Sequence, residues 1–154
     1  MKYNSIRTMD VSNGPGIRVS IFVQGCPIHC KGCFNKVAWD FNAGKDFTND
    51  TIQHILDLAA SPYIKGLSIL GGEPLAEQNI DGVEALIIAF KKRYKDKDIW
   101  LWTGYKYEDF NSKQKKVVSK VNAFIDGPFE ESLKDPSLLY RGSSNQNVHK
   151  IIHI

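Results

Sequence analysis

Hydrophobic and polar positions change their period several times along the chain. From Ile17 to Val23 ("IRVSIFV") the residues are mostly β-branched or aromatic, the mark of a strand set within a sheet. In "TNDTIQHILDLAA" cap-type residues lead into apolar positions at helical spacing, Ile52, Ile55, Leu56 and Ala59. "IKGLSILGGEP" reads as a short apolar strand ended by glycines. "IDGVEALIIAFKKRYKD" returns to the helical period, with Val83, Leu86, Ile87 and Phe90 on one stripe and a basic end that suits the helix dipole. "DIWLWTGY" predicts a strand, "SKQKKVVSKV" a short helix, "NAFIDGPF" a strand ending at a turn, and "NVHKIIHI" a last edge strand.

Alternating strands and helices predict an α/β chain with a mainly parallel sheet and functional loops at the C-terminal ends of its strands. Four or five such units are too few to close an eight-stranded barrel. The expected architecture is therefore an open, partial (βα) barrel. The 154 residues fit one domain, 1–154, large enough to bury a core without disulfides. A formal net charge of +3 is too weak to point to nucleic acid or a membrane surface. "MKYNSIRTMD" has no apolar segment of the signal-peptide kind, and no later run reaches ~18 apolar residues. A cytoplasmic protein without nucleic-acid or membrane partners is the expectation.

Residue chemistry changes the picture in the stretch "GCPIHCKGC", which holds all three cysteines, Cys26, Cys30 and Cys33. An odd number packed this closely is a poor disulfide framework and a good metal site. The loop follows the first predicted strand directly, where a parallel sheet presents its chemistry. Thiolates are the usual ligands of iron–sulfur clusters, and three of them on a four-iron cluster leave one iron open to a small molecule. Zinc is the competing reading. His29 is badly placed to join Cys30 on one ion, whereas His149 or His153 could reach from the C-terminus.

"LGGEP" (70–74) ends the second predicted strand. Gly71 and Gly72 lack a Cβ and let backbone approach a ligand closely. Glu73 places a carboxylate at the same edge, an acceptor for an ammonium group. A string of this kind is on its own more often just a turn. Asn13, Gly14, Pro15 and Gly16 favour a turn, and the adjoining Arg18 reads equally as a surface charge or an anion contact. Trp100 and Trp102 are expected in the core of a strand buried on both faces. Thr103, Gly104 and Tyr105 are better placed to meet a ligand. His54, within a helix, is expected to be structural.

Cys-x3-Cys-x2-Cys after the first strand, with Gly-Gly-Glu-Pro after the second, resembles the radical S-adenosylmethionine (SAM) superfamily. The resemblance implies a 4Fe-4S cluster held by Cys26, Cys30 and Cys33, with SAM chelated at the open iron. It also implies SAM contacts from Gly32, Cys33, Phe34, Gly71, Gly72 and Glu73. An electron from the cluster would cleave SAM to methionine and a 5′-deoxyadenosyl radical. No acid–base pair is expected, because the cofactor performs the chemistry. The stretch 10–35, with its Gly-Pro-Gly-x-Arg lead-in, resembles the activating enzymes of glycyl-radical proteins. "DIWLWTGYK", "DGPF" and "PSLLYRGSSNQ" are similar to the branch that serves anaerobic ribonucleoside-triphosphate reductase. Partners implied are the glycyl-radical subunit of that reductase, which would receive the radical on a backbone glycine, and an electron donor such as flavodoxin. On this reading Asp126 touches SAM or a neighbouring loop, and "RGSSNQ" is either a solvated loop or a contact. The alternatives are an activase of pyruvate formate-lyase, a small radical-SAM enzyme for a free metabolite, or a zinc-binding interaction module.

Overall fold

The computed structural model describes residues 1–33 and 36–151, so the expectations for Phe34 and His153 fall outside the described residues. In chain order the elements are β1 (Lys2–Asp10), β2 (Ile17–Val23), β3 (Lys45–Asp46), α1 (Asn49–Leu58), β4 (Ile64–Gly71), α2 (Ile80–Arg93), β5 (Asp98–Trp102), α3 (Ser112–Val118), β6 (Ala123–Asp126) and β7 (Asn147–Lys150). The strands hydrogen-bond in the order β3-β1-β2-β4-β5-β6-β7. The central four, β2, β4, β5 and β6, run parallel. β1 and β7 flank them antiparallel. The sheet does not close on itself, as expected of an open α/β architecture. Among the described residues no helix is long and apolar enough to cross a membrane.

β1 is the main element that the hydrophobic pattern does not predict. Its sequence, KYNSIRTMD, holds few apolar residues, and Arg7, Thr8 and Met9 are exposed. Pairing with β2 organises it, with Ile6 opposite Ile21 and Tyr3 opposite Val23. Strand preference is largely a matter of fit to neighbours, so a polar segment beside a strong strand can be recruited. α1 and α3 start at capping side chains. Thr48 accepts a hydrogen bond from the Thr51 N–H at the head of α1, and Asn111 accepts one from Gln114 at the head of α3.

The sheet has two different faces. Val19, Ile21 and Val23 of β2, Leu67 and Ile69 of β4, and Ile99 and Leu101 of β5 form one core with apolar residues of all three helices. Successive side chains of a strand point to opposite faces. The intervening residues, Arg18, Ser20, Ser68, Trp100 and Trp102 among them, therefore lie on the other face. There Ser20 is in register with Ser68, and Ser68 with Trp100. Trp100 is buried in a small second cluster with Ala123 and Ile125. Trp102 is only partly buried, because it lies at the end of β5 where that cluster stops. The expectation that both tryptophans are core residues holds for Trp100 alone.

Arg18 is wholly buried on this second face. Its guanidinium lies 2.7 Å from the Asp98 carboxylate. It also donates to Ser68 Oγ (2.7 Å) and to the carbonyls of Leu67 (2.9 Å) and Pro15 (3.0 Å). Arg18 therefore fastens the start of β2 to β4, to β5 and to the Gly-Pro turn before it. Burial pushes its pKa down and Asp98 pulls it back up. The pair needs Gly66: a Cβ there would sit 2.1 Å from Asp98 Oδ1. Arg18→Ala leaves the buried Ser68 hydroxyl and Leu67 carbonyl without their donor and the partly exposed Asp98 without its partner, so it should lower the unfolding free energy by roughly 2–3 kcal/mol. Urea titration of the purified variant measures this, and a loss below about 1 kcal/mol, the scale of a surface pair, would contradict it.

Candidate functional site

The cysteine loop leaves β2 at Val23, and its backbone is held on both sides. On one side it bonds to its own returning chain, Gly25 N–H to the Ala38 carbonyl (2.6 Å) and Cys26 N–H to the Trp39 carbonyl (3.1 Å). The buried Gln24 side chain reinforces this, its Nε2 donating to the carbonyls of Val37 and Asp40 at 2.9 Å each. On the other side the loop meets the end of β4. Gly72 N–H donates to the Val23 carbonyl (2.9 Å), and Glu73 N–H donates to the Gly25 carbonyl (2.8 Å). Asn79 spans the junction, donating from Nδ2 to the carbonyls of Gln24 (3.1 Å) and Glu73 (3.0 Å). His29 stacks on Trp39 with ring centres 4.3 Å apart.

Gly71 and Gly72 make this junction possible. At Gly72 a Cβ would lie 2.3 Å from the Gly25 carbonyl oxygen and 2.8 Å from that of Ala38. At Gly71, where φ is +120°, it would lie 2.5 Å from the Val23 nitrogen. The room that a side chain would take at both positions is filled by polypeptide. The glycines admit the cysteine loop itself to the strand end.

A cavity of about 500 Å³ lies against this junction. Its wall brings together Cys26, Cys30, Cys33, Gly71, Gly72 and Glu73. Thr103 and Gly104, at the end of β5, line it as well. The volume is in the range of small-molecule sites. Gly32 belongs to the same loop at φ +75° but is not on the cavity wall. Tyr105 packs against the main core rather than into the cavity.

Cys26 is buried and the other two thiols are half-buried, with no disulfide among them. Burial pushes the thiols of Cys26 and Cys30 up, so without a bound cation they are held neutral. Among the described residues no three His, Cys, Asp or Glu side chains converge closely enough to share one metal ion. In a four-iron cluster each thiolate binds its own iron. Three sulfur donors on one wall of a partly apolar cavity are a donor set that fits an iron–sulfur cluster. His149 does not line this cavity; its Nε2 lies 2.8 Å from Asp126 Oδ1 and its ring stacks on Phe124.

Glu73 is almost fully buried and engaged at both oxygens. Oε2 accepts from Leu75 N–H (2.9 Å) and the Thr103 hydroxyl (2.7 Å), and Oε1 accepts from Gly104 N–H (2.6 Å). Burial pushes its pKa up to about 7 against the pull of those three hydrogen bonds. The carboxylate thus ties the end of β4 to the end of β5. Asp126 serves a neighbouring segment, accepting from Tyr107 N–H (2.8 Å) as well as meeting His149. The "RGSSNQ" loop is folded onto the "DGPF" turn. Asn145 donates to the Pro128 carbonyl (2.7 Å) and Gln146 to the Gly127 carbonyl (3.0 Å). Arg141, Gly142 and Gln146 reach the cavity wall.

Residues 12–149 match the 4Fe-4S single cluster domain family. The chain is also 42% identical over 153 residues to the anaerobic ribonucleoside-triphosphate reductase-activating protein of Escherichia coli, covering 98% of this chain and 99% of that one. Its identity to the protein of the same name from Enterobacteria phage T4 is 42% over 148 residues, 96% of this chain and 93% of the other. For the Vibrio cholerae protein of that name the identity is 38% over 152 residues, 97% and 98% of the two chains. The chain belongs to the family of anaerobic ribonucleoside-triphosphate reductase-activating proteins. Like the 4Fe-4S match, the resemblance to these activating proteins takes in the cysteine loop, the strand-end glycines and the "RGSSNQ" loop together.

Gln24 and Asn79 are the scaffold residues that sequence reasoning missed in this activating-protein family member. Asn79 stands where a cap for α2 belongs, but its side chain makes no cap hydrogen bond and holds the cysteine loop instead. In Gly72→Ala the added methyl must push away the Gly25 or Ala38 carbonyl. That variant should keep its far-ultraviolet helical signal and yet retain far less iron than wild type after anaerobic reconstitution and desalting. Normal iron retention would show the close approach to be dispensable. Loading must also expel protons from the raised thiols of Cys26 and Cys30. Iron–sulfur affinity, read by chelator competition, should fall with decreasing pH by up to roughly tenfold per pH unit for each thiol that stays protonated. A pH-independent affinity would contradict the neutral-thiol state.

Proposed function

We propose that this chain activates anaerobic ribonucleoside-triphosphate reductase as a radical SAM enzyme, working as one unit across residues 1–154. One observation carries the reading: three thiols and the Gly-Gly-Glu strand end share a single cavity, in a chain whose relatives bear that activating name. Cys26, Cys30 and Cys33 would hold a 4Fe-4S cluster, and Gly32, Phe34, Gly71, Gly72 and Glu73 would border SAM beside it. When bound, these groups supply one-electron cleavage of SAM to methionine and a 5′-deoxyadenosyl radical that takes a hydrogen atom from a glycine of the reductase.

The chain's own residues contribute position and exclusion. Cys26, Cys30 and Cys33 offer three ligands and leave room for a fourth from a small molecule. Gly25, Gly72, Gln24 and Asn79 fix the cysteine loop against the strand end, so that ligands from the two segments stay in register. Glu73, with both oxygens engaged internally, holds Thr103 and Gly104 at the cavity edge. Phe22, Leu70, Trp102 and Leu138 give the cavity apolar wall, which limits water around a reactive species. Glycine suits the target because its Cα radical is stabilised by the flanking amide groups and no side chain blocks approach. The electron would come from an external one-electron donor such as flavodoxin. The cytoplasm, where thiols stay reduced, is the compartment this reading takes.

Reconstituted protein should bind about four irons and four sulfides per chain. Mixed anaerobically with the reductase, SAM and a reductant, it should give a glycine-centred doublet in the electron paramagnetic resonance spectrum. The doublet should vanish for Cys26→Ala, Cys30→Ala or Cys33→Ala, and when the target glycine is replaced by alanine. A protein that takes up only zinc, or that radicalises pyruvate formate-lyase and leaves the reductase silent, would overturn the proposal.

A further inference from the structure

Cys30 receives a hydrogen bond from outside its own loop. Phe129 N–H, in the "DGPF" turn after β6, donates to the Cys30 sulfur. The Cys26 sulfur also accepts backbone N–H bonds, but from Ile28 and His29 of the cysteine loop itself. Turn and loop are closely packed. Phe129 and Cys30 share the cavity wall, and a Cβ on Gly32 would lie 2.7 Å from Glu131 Cδ.

The donor belongs to a peptide unit that is held at its other pole. Asn145 Nδ2 donates to the Pro128 carbonyl at 2.7 Å. That carbonyl and the Phe129 N–H are the two ends of one peptide unit. A peptide unit is planar, so anchoring its carbonyl also fixes the direction of its N–H. Asn145, the peptide and Cys30 thus form one chain of hydrogen bonds, in which each bond polarises the next. Bonds on either side keep the unit from rotating. Gly127 N–H donates to the Tyr105 carbonyl (3.0 Å), Gln146 Nε2 to the Gly127 carbonyl (3.0 Å), and Glu130 N–H to Ser143 Oγ (3.1 Å).

Reducing an iron–sulfur cluster adds one negative charge, part of which falls on the sulfurs. An N–H aimed at a ligand sulfur favours the reduced state, and such bonds are one of the levers that set the potential. We infer that the "DGPF" turn raises the cluster's reduction potential through the Phe129 N–H, and that Asn145 is the positioning residue that aims it. The step concerned is the addition of one electron from the external donor, with no bond made or broken. The inference rests on the three-cysteine cluster reading, and the test separates the two.

The test is a redox titration of full-length protein, reconstituted anaerobically and free of SAM, followed by electron paramagnetic resonance. Phe129→Pro deletes the donor. The equilibrium constant for reduction should then fall roughly tenfold, about 59 mV for one electron. Phe129→Ala, which keeps the N–H and loses only the ring, should not reproduce the fall. Asn145→Ala keeps the N–H but loosens its aim, and should lower the constant by roughly threefold. In the Phe129→Pro background it should add nothing further, since both changes cut one chain. Ser144→Ala, at an exposed neighbour in the same loop, should titrate as wild type. Iron loss with an unchanged potential in the remaining clusters would make the turn a structural support only and overturn the inference. An equal fall in Phe129→Ala or Ser144→Ala would overturn it too. If Phe129→Pro retains no cluster, Asn145→Ala decides alone: a fall supports the inference and an unchanged potential sinks it. A wild type without a one-electron couple would overturn the cluster reading itself, and this inference with it.

Discussion

The carbonyl of Gly25 and the α-carbon of Gly72 are nearer than any side chain would allow. Everything at the site depends on that approach. It brings a loop with three thiols against the end of β4, and the loop cannot move without breaking the paired bonds on either side of it. Backbone hydrogen bonds across the junction are short-range and directional. They fix position more tightly than apolar packing would, which suits a site whose ligands come from two chain segments. Gln24 and Asn79 add side-chain donors to carbonyls on both sides of the junction, Val37 and Asp40 on one and Gln24 and Glu73 on the other.

The sheet beneath serves two purposes with alternating residues. One face is apolar and carries all three helices. The other begins with a buried charge, Arg18, and ends at the cavity with Phe22, Leu70 and Trp102. The Arg18–Asp98 pair locks the N-terminal ends of the parallel strands, far along each strand from the cavity. At the opposite end, Glu73 crosses from β4 to β5. The strands are thus tied together at both ends by buried ionisable groups, with apolar packing between.

What could be read from the sequence follows from what is local. β2, β4, β5 and the two long helices declare themselves through their period, α1 through its cap as well, and the cysteine loop through spacing. β1 does not, because its partner rather than its own composition makes it a strand. Trp100 and Trp102 look alike in sequence and part ways in the structure, since Trp102 stands at the strand end on the cavity wall. Arg18 read equally as surface or site, for its partners are distant in sequence, Leu67 and Ser68 in the next strand and Asp98 in the one after. Gln24 and Asn79 gave no signal for the same reason. The strand-end glycines were recognisable as positions of close approach, but not what approaches them.

The central claim is that the chain gives the cluster three ligands and leaves one iron for SAM beside the Gly72 junction. Electron–nuclear double resonance of the reduced cluster, with SAM isotopically labelled at its amino nitrogen and carboxylate carbon, tests it most directly. Hyperfine coupling to both labels is the expected result, because a ligand bound at the open iron must share its spin density. SAM that binds without coupling to either label, or a cluster that takes a fourth ligand from the protein itself, would contradict the claim.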